Sequence, residues 1–262
     1  MKSDYDIVGD INYWKDIILY VSTFITFSLT IEEKFKITEI KAYAQYSDIK
    51  DVLIAINVLL AILYVVMELT ANYIFTNAEN NRRLQYLDNS FETNFAGKRV
   101  DGYFTQDKLK PGFYKLAVNA FENAFHTYSI ARLMQPKIYI KALFVFIFFA
   151  FSAAVGEKEM ARSLVEAILP LALIQDAIKL AVFVSRLKVI LDNYKTFFTN
   201  LKRLSFEDQE PEVLKNVIFY ETTLSWASLP LESDIFIKNQ QHLAQEWEML
   251  KKEYAIDKNY IN

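Results

Sequence analysis

Residues Val52–Phe75, VLIAINVLLAILYVVMELTANYIF, decide the class of this chain. The stretch holds 24 residues, with Asn57, Glu68, Thr70 and Asn72 as its polar interruptions. A hydrocarbon core of about 30 Å takes about 20 mostly apolar residues in a helix, so this segment is expected to span a membrane. Asn57 and Glu68 lie eleven residues apart, which at about 100° per residue returns them to one helix face with Tyr64 between them. That face is expected to look at protein or water, because lipid offers polar groups no partner.

Working outward, three more apolar blocks stand out. Ile17–Ile31 is uncharged between Asp16 and Glu32, with Tyr13 and Trp14 suited to a membrane interface. It is expected as a span, the alternative for a run this short being a buried helix of a soluble domain. Ile138–Gly156 is Phe-rich, with Lys141 near its start, where the long side chain can reach the headgroups. Leu164–Val184 follows after GEKEMARS and is the most polar block, holding Glu166, Pro170, Gln175, Asp176 and Lys179. Four blocks explain how 53% hydrophobic residues coexist with a mean hydropathy of only +0.09: the average mixes membrane and aqueous parts.

Lys and Arg number four in residues 32–51 and two in 157–163, against nine in 72–137 and ten from Arg186 onward. The positive-inside tendency then puts the long loop, both termini and the tail in the cytoplasm. The start, MKSDYDIVGD, lacks the basic region of a cleavable signal, so insertion is expected to rest on the internal spans. The expected architecture is all-α: a four-transmembrane helical bundle over residues 1–184 with a cytoplasmic helical loop hairpin at 76–136, and a cytoplasmic helical extension over 185–262. In the loop, Leu84, Leu87, Phe91 and Phe95 are expected to share one helix face, buried against a second loop helix. A second loop helix from about Gly112 carries Asn119, Glu122, Asn123 and His126 at i, i+3, i+4 and i+7, and Pro136 is expected to end it. After the fourth block, Leu187, Leu191, Tyr194, Phe198 and Leu201 repeat at the seam spacing of a coiled coil. SFEDQEP breaks that helix, and two more are expected over 211–227 and 233–254.

Chemistry is sparse. The 5 scattered glycines supply no phosphate loop, and neither a P-loop nor a dinucleotide fingerprint occurs. With only His126 and His242 and no cysteine, no metal site, no cofactor and no enzyme activity are expected. Either histidine reads as a helix-surface or packing residue. The net charge of −3 argues against direct nucleic-acid binding. The better signal is the set of polar residues in the apolar blocks, since an ionisable group at bilayer depth costs about 2.5–3.5 kcal/mol and faces a bundle interior or water. Asn57, Glu68, Gln175, Asp176 and Lys179 form this expected membrane polar strip, with Asp176 and Lys179 at i, i+3. Such a strip either lines a path or specifies helix packing.

Two segments carry a family resemblance: NNRRLQYLDNSF, just after the second block, and KLAVNAFENAF, before the third, in a chain with a Trp-bearing helical tail. This layout resembles the SMODS-associated four-transmembrane effectors of bacterial antiphage systems, the membrane arms of cyclic-nucleotide (CBASS-like) defence. The resemblance implies a toxin of the bacterial inner membrane. A cyclic nucleotide or a sensor protein would trigger its homo-oligomeric assembly and membrane permeabilisation, giving abortive infection. It further implies that Arg82, Arg83, Asp88, Asn89, Asn119, Glu122 and Asn123 belong to a cytoplasmic signal or partner surface. The plain alternative is that these residues solubilise or cap the loop hairpin. A non-conducting, membrane-anchored scaffold or sensor that recruits a cytoplasmic partner is the rival function.

Overall fold

A computed structural model describes residues 3–35, 47–97, 106, 108–155 and 160–256; for 160–173 and a few scattered positions it describes the backbone alone. Among the described residues the main elements are six α-helices: α1 (Asp4–Phe35), α2 (Ser47–Phe91), α3 (Phe113–Val155), α4 (Met160–Asn200), α5 (Glu210–Ala227) and α6 (Ser233–Glu253). A 3-10 turn, Glu207–Gln209, precedes α5, and no strand occurs among the described residues. Two helices, over Asp4–Glu32 and Ile49–Phe91, are long and apolar enough to cross a membrane, with mean hydropathies of 1.2 and 2.6. The third expected block lies in α3 and the fourth in α4; Gly156 and the side chains of Glu166 and Pro170 fall outside the described residues.

The chain divides into two compact units, Met1–Ile74 with Gln135–Ile178, and Phe75–Met134 with Lys179–Asn262. The boundary therefore falls inside α2, α3 and α4 and groups the loop at 75–134 with the C-terminal helices.

Unit 1 holds α1, the first half of α2, the second half of α3 and the start of α4. Ile18, Leu19, Tyr64, Ala142 and Val145 make its core, with Leu60, Met67 and Ala177 against them. Phe27 meets Phe148 and Phe151 edge-on or tilted at 5.0 and 5.7 Å. Its outside is apolar as well: Phe24 on α1, Leu59 and Leu69 on α2, and Ile140 and Ile147 on α3 are among the most exposed large side chains. Contiguous apolar surface of this kind marks a lipid or protein contact.

Unit 2 is built on an aromatic core. Phe121 of α3 is fully buried, stacked on Tyr194 and Phe198 of α4 at 5.8 and 5.3 Å and met edge-on by Trp247 of α6 at 5.2 Å. Leu187, Leu191, Tyr194 and Phe198 are all buried, so the side chains at coiled-coil spacing are spent on packing within the unit. Two expectations need correction. Pro136 does not end the loop helix, because α3 runs through it from Phe113 to Val155; proline removes one helical hydrogen bond, a loss long flanking segments can absorb. The face expected from Leu84, Leu87, Phe91 and Phe95 is not the buried one either, since Leu84 and Phe95 are exposed while Arg82, Tyr86 and Ser90 face inward. The reason is partnership: within unit 2 the buried residues of α2, Phe75, Ala78, Arg82, Tyr86 and Ser90, recur at spacings of three and four on the side where Arg82 meets Glu221 and Tyr86 meets the Leu116 carbonyl.

Candidate functional site

In unit 1 the polar residues of the apolar helices are tied together by α1. Lys15 Nζ is paired with the Glu68 carboxylate of α2, and also donates to Asn12 Oδ1 at 3.3 Å. Lys141 of α3 is paired with Asp16, the next residue of α1. Neighbouring residues of opposite charge on one helix thus hold two other helices by ion pairs. Glu68 is further anchored by Asn72 Nδ2 at 2.9 Å, and the Lys15 ammonium sits 5.2 Å from the centre of the Tyr64 ring. Further along α1, Ser22 Oγ donates to Asn57 Oδ1, and Asn57 Nδ2 donates to Thr26 Oγ1 at 3.0 Å. Each of these bonds joins α1 to α2 where lipid would leave the groups unsatisfied.

Of the membrane strip, Asn57 is buried and Glu68 is held by Lys15. Gln175 is exposed, and Asp176 and Lys179 are half-buried on α4, Asp176 in unit 1 and Lys179 in unit 2. Sequence reasoning missed Lys15 and Asp16, treating Asp16 only as the edge of an apolar run. The available signal was a Lys-Asp dipeptide at the edge of an apolar run, from which long charged side chains reach along neighbouring helices.

Unit 2 contains a second polar cluster around Arg82. Its Nη2 donates to Glu221 Oε2 of α5 at 2.7 Å and its Nε to Glu79 Oε2 at 3.0 Å. Arg83 uses Nε on the same Glu221 oxygen at 2.9 Å and Nη2 on Ser225 Oγ at 2.7 Å. One carboxylate of α5 therefore holds two consecutive arginines of α2. Behind it, Tyr86 donates to the Leu116 carbonyl at 2.8 Å, and the Tyr220 hydroxyl is 2.9 Å from Thr127 Oγ1. Tyr194 is fully buried beside this group. Burial, followed by the nearby Tyr220 and Glu221, pushes its phenol well above the usual range, so it stays a neutral hydroxyl. Asn216 of α5 is also completely enclosed.

The remaining residues of the expected signal surface work mainly inside the fold. Asp88 closes the end of α2: its carboxylate accepts from Thr93 Oγ1, Phe95 N and Ala96 N at 2.7, 2.7 and 2.8 Å, after Glu92 turns into the left-handed region at φ 56°. Asn119 is buried and donates to Asn89 Oδ1 at 2.9 Å and Ser90 Oγ at 3.2 Å, joining α3 to α2. Glu122, also buried, accepts from Gln106 Nε2 at 3.0 Å. Asn123 and Arg83 are half-buried. Arg82, Asn119 and Glu122 thus face the interior of the unit where the sequence reading puts a surface, because α3 is enclosed on nearly every side between Tyr114 and Phe125. His126 packs its ring against Phe236 at 6.2 Å, and burial holds its imidazole down at about 4.

Among the described residues no group of three or more His, Cys, Asp or Glu is placed to hold a metal ion. What the two clusters offer is charge pairing between helices, Lys15 and Asp16 in unit 1 and Glu221 in unit 2, each a point at which a helix could be released by exchanging partners. Compared with family models, with curated proteins and with solved structures, the chain matches none.

Proposed function

We propose that this chain is an oligomeric effector of the bacterial inner membrane, spanning it four times with both termini in the cytoplasm, which permeabilises the membrane when a signal reaches its cytoplasmic helices. Abortive infection during antiphage defence is the setting that the NNRRLQYLDNSF and KLAVNAFENAF segments suggest. The observation that supports the reading is the build of unit 1, apolar on its exterior as well as in its core, with the Lys15–Glu68 and Asp16–Lys141 pairs joining its helices. Helices bound by exchangeable charge pairs have two arrangements available, and lateral association lets several polar strips surround water.

Induced expression in a bacterial host should collapse the membrane potential, read with a potential-sensitive dye. Asp176→Leu with Lys179→Leu should leave the protein in the membrane fraction and remove the toxicity. Undiminished toxicity in that double variant refutes the leak. A second reading, a non-conducting anchored scaffold, is favoured by the exposed apolar face of α5, where Ile218, Phe219 and Trp226 point outward. Vesicles reconstituted with the protein and loaded with a small dye separate the two, since a scaffold retains the dye while still capturing its partner.

A further inference from the structure

Unit 2 has one surface that its own packing does not explain. On α5, Ile218, Phe219 and Trp226 are 56%, 49% and 44% exposed, and on α4 the neighbouring Val189 is 58% exposed. The strongly exposed apolar residues of α6, Ile237 and Met249, lie twelve positions apart along their helix and do not form such a row. Beside the α5 row runs an open groove lined by Ser185, Arg186, Val189 and Ile190 of α4 and Phe219, Thr222 and Thr223 of α5. Arg186, one of the lining residues, lays its guanidinium over the Trp226 ring at 4.3 Å, a cation–π pair that ties the groove to the row.

A ridge and a groove side by side on one patch have the form of a self-complementary contact, in which a twofold axis brings each ridge into the other groove. We propose that this α4–α5 face joins two copies of the chain side by side, each Ile218 entering the groove of its partner between Val189 and Phe219. The area decides the occupant. With Leu214, 44% exposed one turn before Ile218, the large side chains about half exposed offer roughly 500 Å² of apolar surface, well short of the roughly 800 Å² per partner that stable association of freely diffusing proteins uses. Such a patch is too small to capture a stranger from dilute solution. It suffices for chains already held in one membrane in one orientation, where the effective concentration of the patch rises greatly and only the contact itself remains to be made. Lipid fits less well, because Thr222 and Lys215 interrupt the row, and α5 is bound by Glu221 to Arg82 and Arg83, about 12 Å of helix beyond Phe75. The proposal rests on the membrane reading above, and gives its assembly a specific surface.

The absence of cysteine makes the test direct. Full-length Ile218→Cys and Val189→Cys chains, carrying different affinity tags, are co-expressed and oxidised in native membranes, with Glu248→Cys on α6 as the control. The expected result is a disulfide-linked heterodimer of Ile218→Cys with Val189→Cys, at least about tenfold above the Glu248→Cys background. Adding Trp226→Asp, which removes an apolar member of the row and the ring under Arg186, should bring the adduct down to that background. Chains that pellet with the membrane yet give no adduct above the control overturn the interface and leave the membrane reading standing. Chains that remain in the supernatant remove the confinement on which the area argument stands and overturn both.

Discussion

Replacing Glu221 by glutamine tests whether one carboxylate fastens α5 to α2. Glu221 is mostly buried and its Oε2 accepts from Arg82 at 2.7 Å and from Arg83 at 2.9 Å. Stripping the partner from a buried charge costs about 3–5 kcal/mol, because the remaining ion is left without compensation. Here Glu79 still lies 3.0 Å from Arg82 Nε and the substituted amide keeps a carbonyl acceptor, so the expected loss is smaller, about 2–3 kcal/mol. At about 2–4 °C per kcal/mol for a domain of 150 residues or more, the melting temperature should fall by about 5–10 °C. Purified protein in mild detergent is heated while tryptophan emission is followed, since Trp226 on α5 and Trp247 on α6 both report on unit 2. A double-mutant cycle with Arg83→Gln should give a coupling of about 1 kcal/mol, Arg83 being the more exposed partner. Arg82→Met together with Glu221→Met should recover most of the loss, because an apolar pair of similar volume needs no compensating charge. A fall of less than about 1 °C for Glu221→Gln, or a Met–Met pair as unstable as the worse single variant, would refute the reasoning.

Two further outcomes concern other groups. His126 titrates near 6.5 in an unfolded chain but is held down at about 4 by burial. Above pH 6.5 the imidazole is neutral in both states. Between 6.5 and 4 the unfolded chain takes up the proton first, so stability falls as pH falls. Below 4 the loss is complete, at about 3 kcal/mol. Denaturant unfolding at a series of pH values should show this loss in the natural chain and not in His126→Phe; parallel profiles would remove His126 as the cause. In unit 1, Lys15→Glu sets a second carboxylate against Glu68, and Glu68→Lys sets a second ammonium against Lys15. Each single variant should melt earlier in detergent and the double exchange should recover at least about 1 kcal/mol, with no recovery showing that the pair does not hold α1 to α2.

Much of the architecture was legible in the chain because helices announce themselves by composition and period. The last two helices, expected at 211–227 and 233–254, are found as α5 at Glu210–Ala227 and α6 at Ser233–Glu253, since Pro211 and Pro230 punctuate them locally. The inward face of Asn57 and Tyr64 followed from a period of 3.6 alone. Beyond that, local signals ran out. Leu84 and Leu87 looked like a buried face by their apolarity, yet Arg82 and Tyr86 are buried instead, held by Glu221 and the Leu116 carbonyl. No pattern near Arg82 names its partner, which stands 139 positions along the chain. Nothing in the sequence around Glu68 or Lys141 points to α1, where both find their partners.

Composition and periodicity along the chain were enough to read its helical class and the positions of most of its helices. Those properties depend on neighbours within a turn or two and on transfer free energy, which add up along a chain. Which charges pair, the inward turn of Asn119 and Glu122, and the grouping of the segment after Phe75 with the C-terminal helices were visible only once the helices were packed. The physical reason is that pairing and burial depend on which helices come side by side, and an ion separated from its partner by over a hundred residues carries no trace of it in its own surroundings.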